Sequence, residues 1–198
     1  DSGLEEAVLS WHLATSVCEM ELILSGRGSA IRIEMEAVKM SVALSRYCLY
    51  LLVESTGLTP ADPDLCKPLY DGLVRKLGVA FRRHPEMIEM TMVRDYDISS
   101  LTVPGRGEDA EEDEAVNGIL VSGIGLGRRI LEKWPEAERR WSLLMEVWVD
   151  IIIYIAIAEN AHPHAEQLAK GGELLSHLWV LLGHLGFGQK SWISKPHN

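Results

Sequence analysis

The chain has 198 residues and a formal net charge of -10, with 47% hydrophobic and 24% charged residues. This balance predicts one globular domain rather than a disordered chain. The negative charge argues against nucleic-acid binding, which needs clustered Lys and Arg, and against docking on anionic lipid through a broad basic face. Cys18, Cys48 and Cys66 are irregularly spaced and form no CxxC, which favours a reducing compartment over a disulfide framework.

Apolar residues at intervals of three and four predict helices throughout the first half of the chain. The first helix covers Leu4 to Leu24, and the second covers Ala30 to Glu54. The segment TGLTPADPD follows as a loop, and Asp64 is predicted to cap a third helix that runs to about Leu77. A short helix is predicted over residues 82–93.

An acidic loop is predicted over residues 101–114, which combine Pro and Gly with the run EDAEEDE. We expect this loop to be mobile because its composition buries little apolar surface. A further helix is predicted over Ala115 to Lys133, and the last residues of the acidic run are candidates to open it, because carboxylates favour the N-terminal end of a helix. Two more helices are predicted, from Pro135 to about Asn160 and from Pro163 to near Gly186 or Gly188. The sequence therefore predicts an all-α fold: a single-domain helical bundle over residues 1–198, with about six to seven helices and one mobile acidic loop.

The longest apolar run, Val147 to Ala158, is too short for a bilayer span of roughly 20 residues. Asp150 interrupts the run and Glu146 precedes it, and both carboxylates would be costly in lipid. We expect no direct membrane span in this chain, and we expect Trp148 and Trp179 to be buried in one core formed by the last two long helices.

Carboxylates and imidazoles on the last two predicted helices invite a metal-site interpretation. Glu173, His177 and His184 share one predicted helical face, and Glu146 and Asp150 lie four apart on the preceding helix. Bundle di-metal sites, however, use Glu-x-x-His at three-residue spacing, which is absent here. The pattern favours a polar stripe at the edge of an apolar helix, so we predict no metal and no cofactor.

Other candidate constellations have simpler structural interpretations. His162 and His164 flank a proline and are predicted to lie in a surface turn at a helix start. A nucleophile–base pair of Cys18 with His12 is conceivable, but a buried thiol is favoured. The glycines of SGIGLG lack the spacing of a phosphate loop and indicate close helix packing or a kink.

Three segments of the chain resemble one family. WHLATSVC at 11–18 is similar to its opening WHxAT-x-x-C segment, and LSRYCLYLL at 44–52 is similar to its LSxYxxYLL segment. HAEQLAKGGELLSHLW at 164–179 is similar to its closing HAxxLxxGGE block. The family is the plant domain catalogued as domain of unknown function, family 594, which is abundant in grasses; Arg46 departs from the small polar residue expected there. The resemblance implies a plant protein in which this domain follows a multi-pass membrane region, and it implies no activity.

We therefore expect a non-enzymatic helical protein-interaction module, the soluble C-terminal domain of a plant membrane-associated protein, on the cytoplasmic side of a membrane. Its partner is expected to be a protein, and the acidic run and a tail tryptophan are the candidate contacts. Charge runs are, however, more typical of solvated segments with no partner, and the tryptophan could instead anchor the tail to the domain. The candidate contact residues are Glu108, Asp109, Glu111, Glu112, Asp113 and Trp192. Two alternatives stay open: a metal-dependent enzyme that uses the His and carboxylate cluster, and a binder of a small apolar ligand between helices.

Overall fold

The computed structural model describes residues 3–25, 36–83, 110–158 and 161–187 of the chain. Within these ranges the chain forms seven α-helices, one short 3-10 turn and no strand, which confirms the predicted all-α class. The helices are α1 (Leu4–Leu24), α2 (Glu36–Glu54), α3 (Pro63–Arg83), α4 (Ala110–Lys133), α5 (Ala137–Ala158), α6 (Ala161–Ala169) and α7 (Leu174–His184).

Helix α1 lies at the centre of the packing and contacts α2, α3 and α4. Its apolar residues surround the helix axis, as expected for a helix covered on several sides. By length and composition α1 could cross a membrane, and α5 with α6 passes that test only as a bent pair. Half of the most apolar window of α1 is buried inside the protein, and core helices of soluble proteins pass the same test.

Two glycines let α4 approach α1 closely. A Cβ added at Gly123 would lie 2.7 Å from the Cβ of Leu13, and one added at Gly127 would lie 2.7 Å from the Cβ of Val17. Neither separation is possible for real side chains, so the contact requires glycine at both positions. This confirms the close packing predicted for SGIGLG and gives a positional reason for two of its three glycines.

Two adjacent apolar clusters fill the space between the helices. Trp148 belongs to the larger cluster and Trp141 to the smaller, and both side chains are 0% exposed. The prediction of a core around Trp148 is confirmed. Trp179 is only half-buried and stacks on a histidine instead, so its assignment to the same core is wrong.

The start of α3 differs slightly from the prediction. Pro63 occupies the first helical position, and the carboxylate of Asp62 accepts the backbone N–H of Asp64 at 2.9 Å. Asp62, rather than Asp64, is therefore the capping residue, because proline is favoured immediately after the cap. The helix then continues to Arg83, six residues beyond the predicted end at Leu77.

The predicted acidic loop ends earlier than expected. Residues 101–109 lie outside the described residues, but α4 already begins at Ala110, so Glu111, Glu112 and Asp113 form its first turn. The loop predicted up to Glu114 is therefore helical from residue 110, in agreement with the alternative that the end of the acidic run opens this helix. Carboxylates stabilise this end of a helix because they face its exposed N–H groups and positive dipole.

The last predicted helix is two helices, α6 and α7, joined at a glycine pair. Gly171 and Gly172 have φ values of 115° and 78°, which side-chain-bearing residues rarely adopt. Gly172 N–H donates to Gln167 O at 2.8 Å and Gly171 N–H to Leu168 O at 3.3 Å, the paired bonds of a Schellman C-cap. The glycines thus end α6 and turn the chain back toward the bundle.

Candidate functional site

Polar side chains in the three segments that resemble the family form hydrogen bonds with residues on other helices. Thr15 of α1 accepts a hydrogen bond from Nε1 of Trp148 on α5 at 3.0 Å, while its own hydroxyl donates to the Trp11 carbonyl at 2.8 Å. Both Thr15 and Trp148 are buried. An unpaired indole N–H would be costly there, so this bond fixes the position of α5 along α1.

His12 of α1 pairs with Ser45 of α2, with 2.8 Å between Nδ1 and Oγ. Burial of the ring, aided by the nearby Arg46 guanidinium, lowers the pKa of His12 to about 4. Burial likewise raises the pKa of the Cys18 thiol to about 12. A protonated buried thiol is a poor nucleophile, which supports the buried-thiol interpretation of Cys18.

Tyr47 of α2 connects to the start of α7 through two hydrogen bonds. Its hydroxyl donates to Oε2 of Glu173 at 3.0 Å and accepts the backbone N–H of Leu175 at 3.0 Å. Tyr50 donates to Oε1 of the same carboxylate at 3.3 Å. Burial, together with Glu173, raises the pKa of Tyr47 above its ordinary value, so the phenol stays protonated and remains a donor.

His164 of α6 is fully buried, so the prediction that it lies in a surface turn is wrong. Its ring stacks on Trp179 of α7 with 5.1 Å between centroids, and Nδ1 lies 3.2 Å from Oγ of Ser176. The turn at the glycine pair brings α7 against this side of α6, which covers His164. His162 is exposed, as predicted, with Nδ1 3.6 Å from Oε1 of Glu166.

The surroundings of the His164 ring disfavour its protonation. Burial lowers the pKa of the imidazole. Its Nε2 has no hydrogen-bond partner in the part of the chain that the structure describes. A proton added there would be a buried charge without compensation, which disfavours the imidazolium.

We name this set of contacts the polar seam. It comprises Thr15, Trp148, His12, Ser45, Tyr47, Tyr50, Glu173, His164 and Ser176. The first resembling segment joins the second through His12 and Ser45, and the second joins the third through Tyr47 and Glu173. The seam orients helices and fixes where α7 begins.

All residues of the polar seam except Trp148 lie in the three segments that resemble the family, but the sequence indicated no role for most of them. The available signal was a polar side chain at a helix position whose neighbours at three and four residues are apolar. Ser45 is an example, because its neighbours at these spacings include Val42, Cys48 and Leu49. Which helix supplies the partner could not be read from that signal.

The residues of the proposed metal cluster occupy different environments. Glu146, Asp150, His177 and His184 are exposed, whereas the carboxylate of Glu173 is bound by the two tyrosines. The break before α7 also removes Glu173 from the single helical face predicted for it. Across the described ranges, no group of three His, Cys, Asp or Glu side chains could hold a metal ion.

The candidate partner-contact residues divide into two groups. Glu108, Asp109 and Trp192 lie outside the described residues. In the first turn of α4, Asp113 lies 3.2 Å from Nζ of Lys76 and 3.9 Å from Arg75. Glu112 lies 3.7 Å from Arg75, and Glu111 is exposed.

The fold and the polar seam define an all-helical protein whose motif side chains join its helices. The model of the family described as Protein of unknown function, DUF594, matches residues 134–187. The resemblance stated from the sequence is thereby confirmed over this part of the chain, from the end of α4 to just after α7. Searches of curated proteins and of solved structures found no match.

Proposed function

We propose that this chain is a non-enzymatic helical protein-interaction module, the C-terminal domain of a membrane-associated plant protein on the cytoplasmic side. The observation that carries the proposal is the polar seam. Its hydroxyls, its carboxylate and its indole N–H bond between helices, so the motif residues act as structural connections. Side chains that hydrogen-bond to other helices stabilise the positions of those helices, and with them a binding surface, and they do not present reactive atoms to a substrate.

The acidic first turn of α4 is the proposed contact surface for a basic protein segment. Asp113 and Glu112 pair with cations of α3, which fixes the turn against that helix. Glu111 and Glu114 remain exposed beside them, and Glu108 and Asp109 precede them in the sequence. Excess negative charge on one turn accelerates encounter with a positively charged partner, and salt weakens the attraction.

Site-specific photo-crosslinking tests the proposed protein contact. A benzophenone side chain is introduced at Glu111 and, as a matched control, at Glu138, an exposed glutamate in the first turn of α5. We expect a discrete protein adduct in plant-cell extract at position 111 that weakens as salt is added. No adduct at 111, or the same adducts at both positions, would contradict the proposal.

Two further measurements test the remaining parts of the proposal. Elemental analysis of the purified chain distinguishes the metal-dependent alternative, which requires stoichiometric zinc, iron or manganese. Sequencing the transcript that encodes the chain tests the parent protein. We expect several apolar, membrane-length helices to be encoded before Asp1.

A further inference from the structure

Helix α7 is connected to α6 through a glycine pair and is held in place by residues of other helices. Gly171 and Gly172 have φ values of 115° and 78°. The side chain of Glu173 makes no cap bond within α7, and the backbone N–H of Leu175 donates to the hydroxyl of Tyr47 at 3.0 Å. The position of α7 is therefore set by the surface on which it lies, and not by the connection that precedes it.

The surface beneath α7 is complementary to this helix. Leu175 and Leu182 of α7 are 0% and 8% exposed and belong to the larger apolar cluster. Trp179 stacks on the ring of His164 with 5.1 Å between centroids. We name the surface formed by Tyr47, His164 and the part of the cluster beneath the two leucines the α7 site. Every copy of the chain carries both an α7 site and the helix that fills it.

The connection between α6 and α7 can also be helical. Lys170 and Glu173 are residues that favour a helix, and glycine tolerates one at a moderate cost. In a continuous helix that joins α6 to α7, residues 164 and 179 would lie about 22 Å apart along the axis, because each residue advances the helix by about 1.5 Å. His164 could then stack only on the Trp179 of another copy.

We propose that the glycine turn is a hinge and that two copies of the chain exchange α7, so that each α7 occupies the α7 site of the other copy. The partner is a second copy, because the helix that fits the site is present in every copy. The same hydrogen bonds and stacking form in both arrangements, so the conformation of residues 170–173 and the protein concentration decide between them. A short connection gives a chain's own helix a roughly millimolar effective concentration, so exchange increases as the chain approaches that concentration. The exchange does not involve the acidic turn of α4, so it is independent of the protein contact proposed above.

Cross-linking between two cysteine variants tests the exchange. One variant is Tyr50→Cys and the other is Leu174→Cys, at positions that are 43% and 58% exposed. The two positions are close because Tyr50 donates to the carboxylate of Glu173, the residue before Leu174, and the three natural cysteines are buried. The variants are mixed at roughly millimolar concentration and treated with a bismaleimide. We expect a two-chain adduct that joins position 50 of one copy to position 174 of the other.

Two controls define what the adduct means. A single chain that carries both changes should cross-link within itself, because its own α7 lies beside Tyr50. Val121→Cys, at a 47% exposed position on α4, is mixed with Leu174→Cys to measure adducts that form by random collision. An adduct no more abundant than in this collision control would overturn the proposal, and so would a doubly changed chain that does not cross-link within itself. An equally abundant adduct between two Leu174→Cys chains would also overturn it, since the copies would then associate through the exposed side of α7.

A hinge variant tests the role of the turn. Gly171→Ala places a side chain at a positive φ, although its Cβ would meet nothing within 4 Å, so the strain comes from the backbone alone. A roughly tenfold effect at each of the two hinges should raise the dimerisation constant about a hundredfold. Gly183→Ala, which also meets nothing within 4 Å and is not at a positive φ, should leave the constant unchanged. Light scattering over a concentration series measures both variants, and a Gly171→Ala chain no more dimeric than the Gly183→Ala chain would refute the hinge.

Discussion

The backbone N–H of Leu175 donates to the hydroxyl of Tyr47 at 3.0 Å, across 128 positions of sequence. Helix N-termini are usually capped by the residue that immediately precedes them. Here that residue is Glu173, and its side chain makes no cap bond within the helix. The carboxylate instead accepts hydrogen bonds from Tyr47 and Tyr50, so the start of α7 is specified by tertiary contact with α2.

Tyr47→Phe should lower the free energy of unfolding by about 1–3 kcal/mol, because it leaves an N–H and a carboxylate oxygen without their partner. Urea denaturation measures the change. Tyr50→Phe is the matched control: its bond to Glu173 is longer and exposed, so the expected loss is about 0.5 kcal/mol or less. Equal losses in the two variants would show that the hydroxyl of Tyr47 does not define the start of α7.

Gly127→Ala should destabilise the protein by about 1–3 kcal/mol, because the added methyl group meets both the side chain of Val17 and the backbone of Ala14. Gly118→Ala on the same helix is the control, since a Cβ there meets nothing within 4 Å. That change should stabilise the helix by about 0.5–1 kcal/mol. Opposite signs in thermal unfolding would support the close contact of α4 with α1, and equal signs would contradict it.

Trp148→Ala should cost roughly 3–5 kcal/mol, because a fully buried indole and its bond to Thr15 are both lost. Trp179→Ala should cost less, since Trp179 is half-buried. Chemical denaturation of both variants compares the two sites. A Trp148→Ala variant that melts within about a degree of the unmodified chain would refute the assignment of Trp148 to the core.

Stability should decrease as the pH falls below the ordinary histidine pKa of 6.5. The folded-state pKa of His12 is about 4, so the unfolded chain takes up a proton in this window before the folded chain does. The stabilisation is fully present above pH 6.5 and is lost toward pH 4, by at most about 3 kcal/mol for this residue. The lowered pKa of His164 acts in the same direction.

Urea unfolding across that pH range measures the effect. His12→Asn should flatten the pH dependence, because its amide can still bond Ser45 but does not titrate. His162→Gln, at an exposed site, should leave the pH dependence as it is. A His12→Asn profile as steep as that of the unmodified chain would assign the pH dependence to other groups.

Local patterns predicted most of the helices but not the contacts between them. Leu4–Leu24 and the end of α2 at Glu54 follow from apolar spacing, and the close contact of α4 followed from its glycines. The end of α6 was not predicted, although Lys170, the pair Gly171-Gly172 and Glu173 interrupt the apolar pattern there, and both glycines adopt positive φ angles. Likewise, sequence could not show that His164 is buried, since its cover comes from a helix that folds back over it.

The candidate site was less predictable than the fold. Its residues were visible as motifs, but their pairing depends on which helices become neighbours. Glu173 illustrates the difficulty. Its spacing of four residues from His177 suggests a metal ligand, whereas in the structure two tyrosines of α2 donate hydrogen bonds to its carboxylate.

Residues 134–187, which match the family model, form hydrogen bonds with residues that lie outside this stretch. The indole of Trp148 bonds to Thr15, and the start of α7 bonds to Tyr47, both of which lie far upstream. If this stretch alone were transferred to another protein, the buried N–H of Trp148 would lose its acceptor. The first turn of α7 would also lose its hydrogen bond to Tyr47. The structural unit that holds the matched stretch in place therefore includes Thr15 and Tyr47 and extends well beyond that stretch.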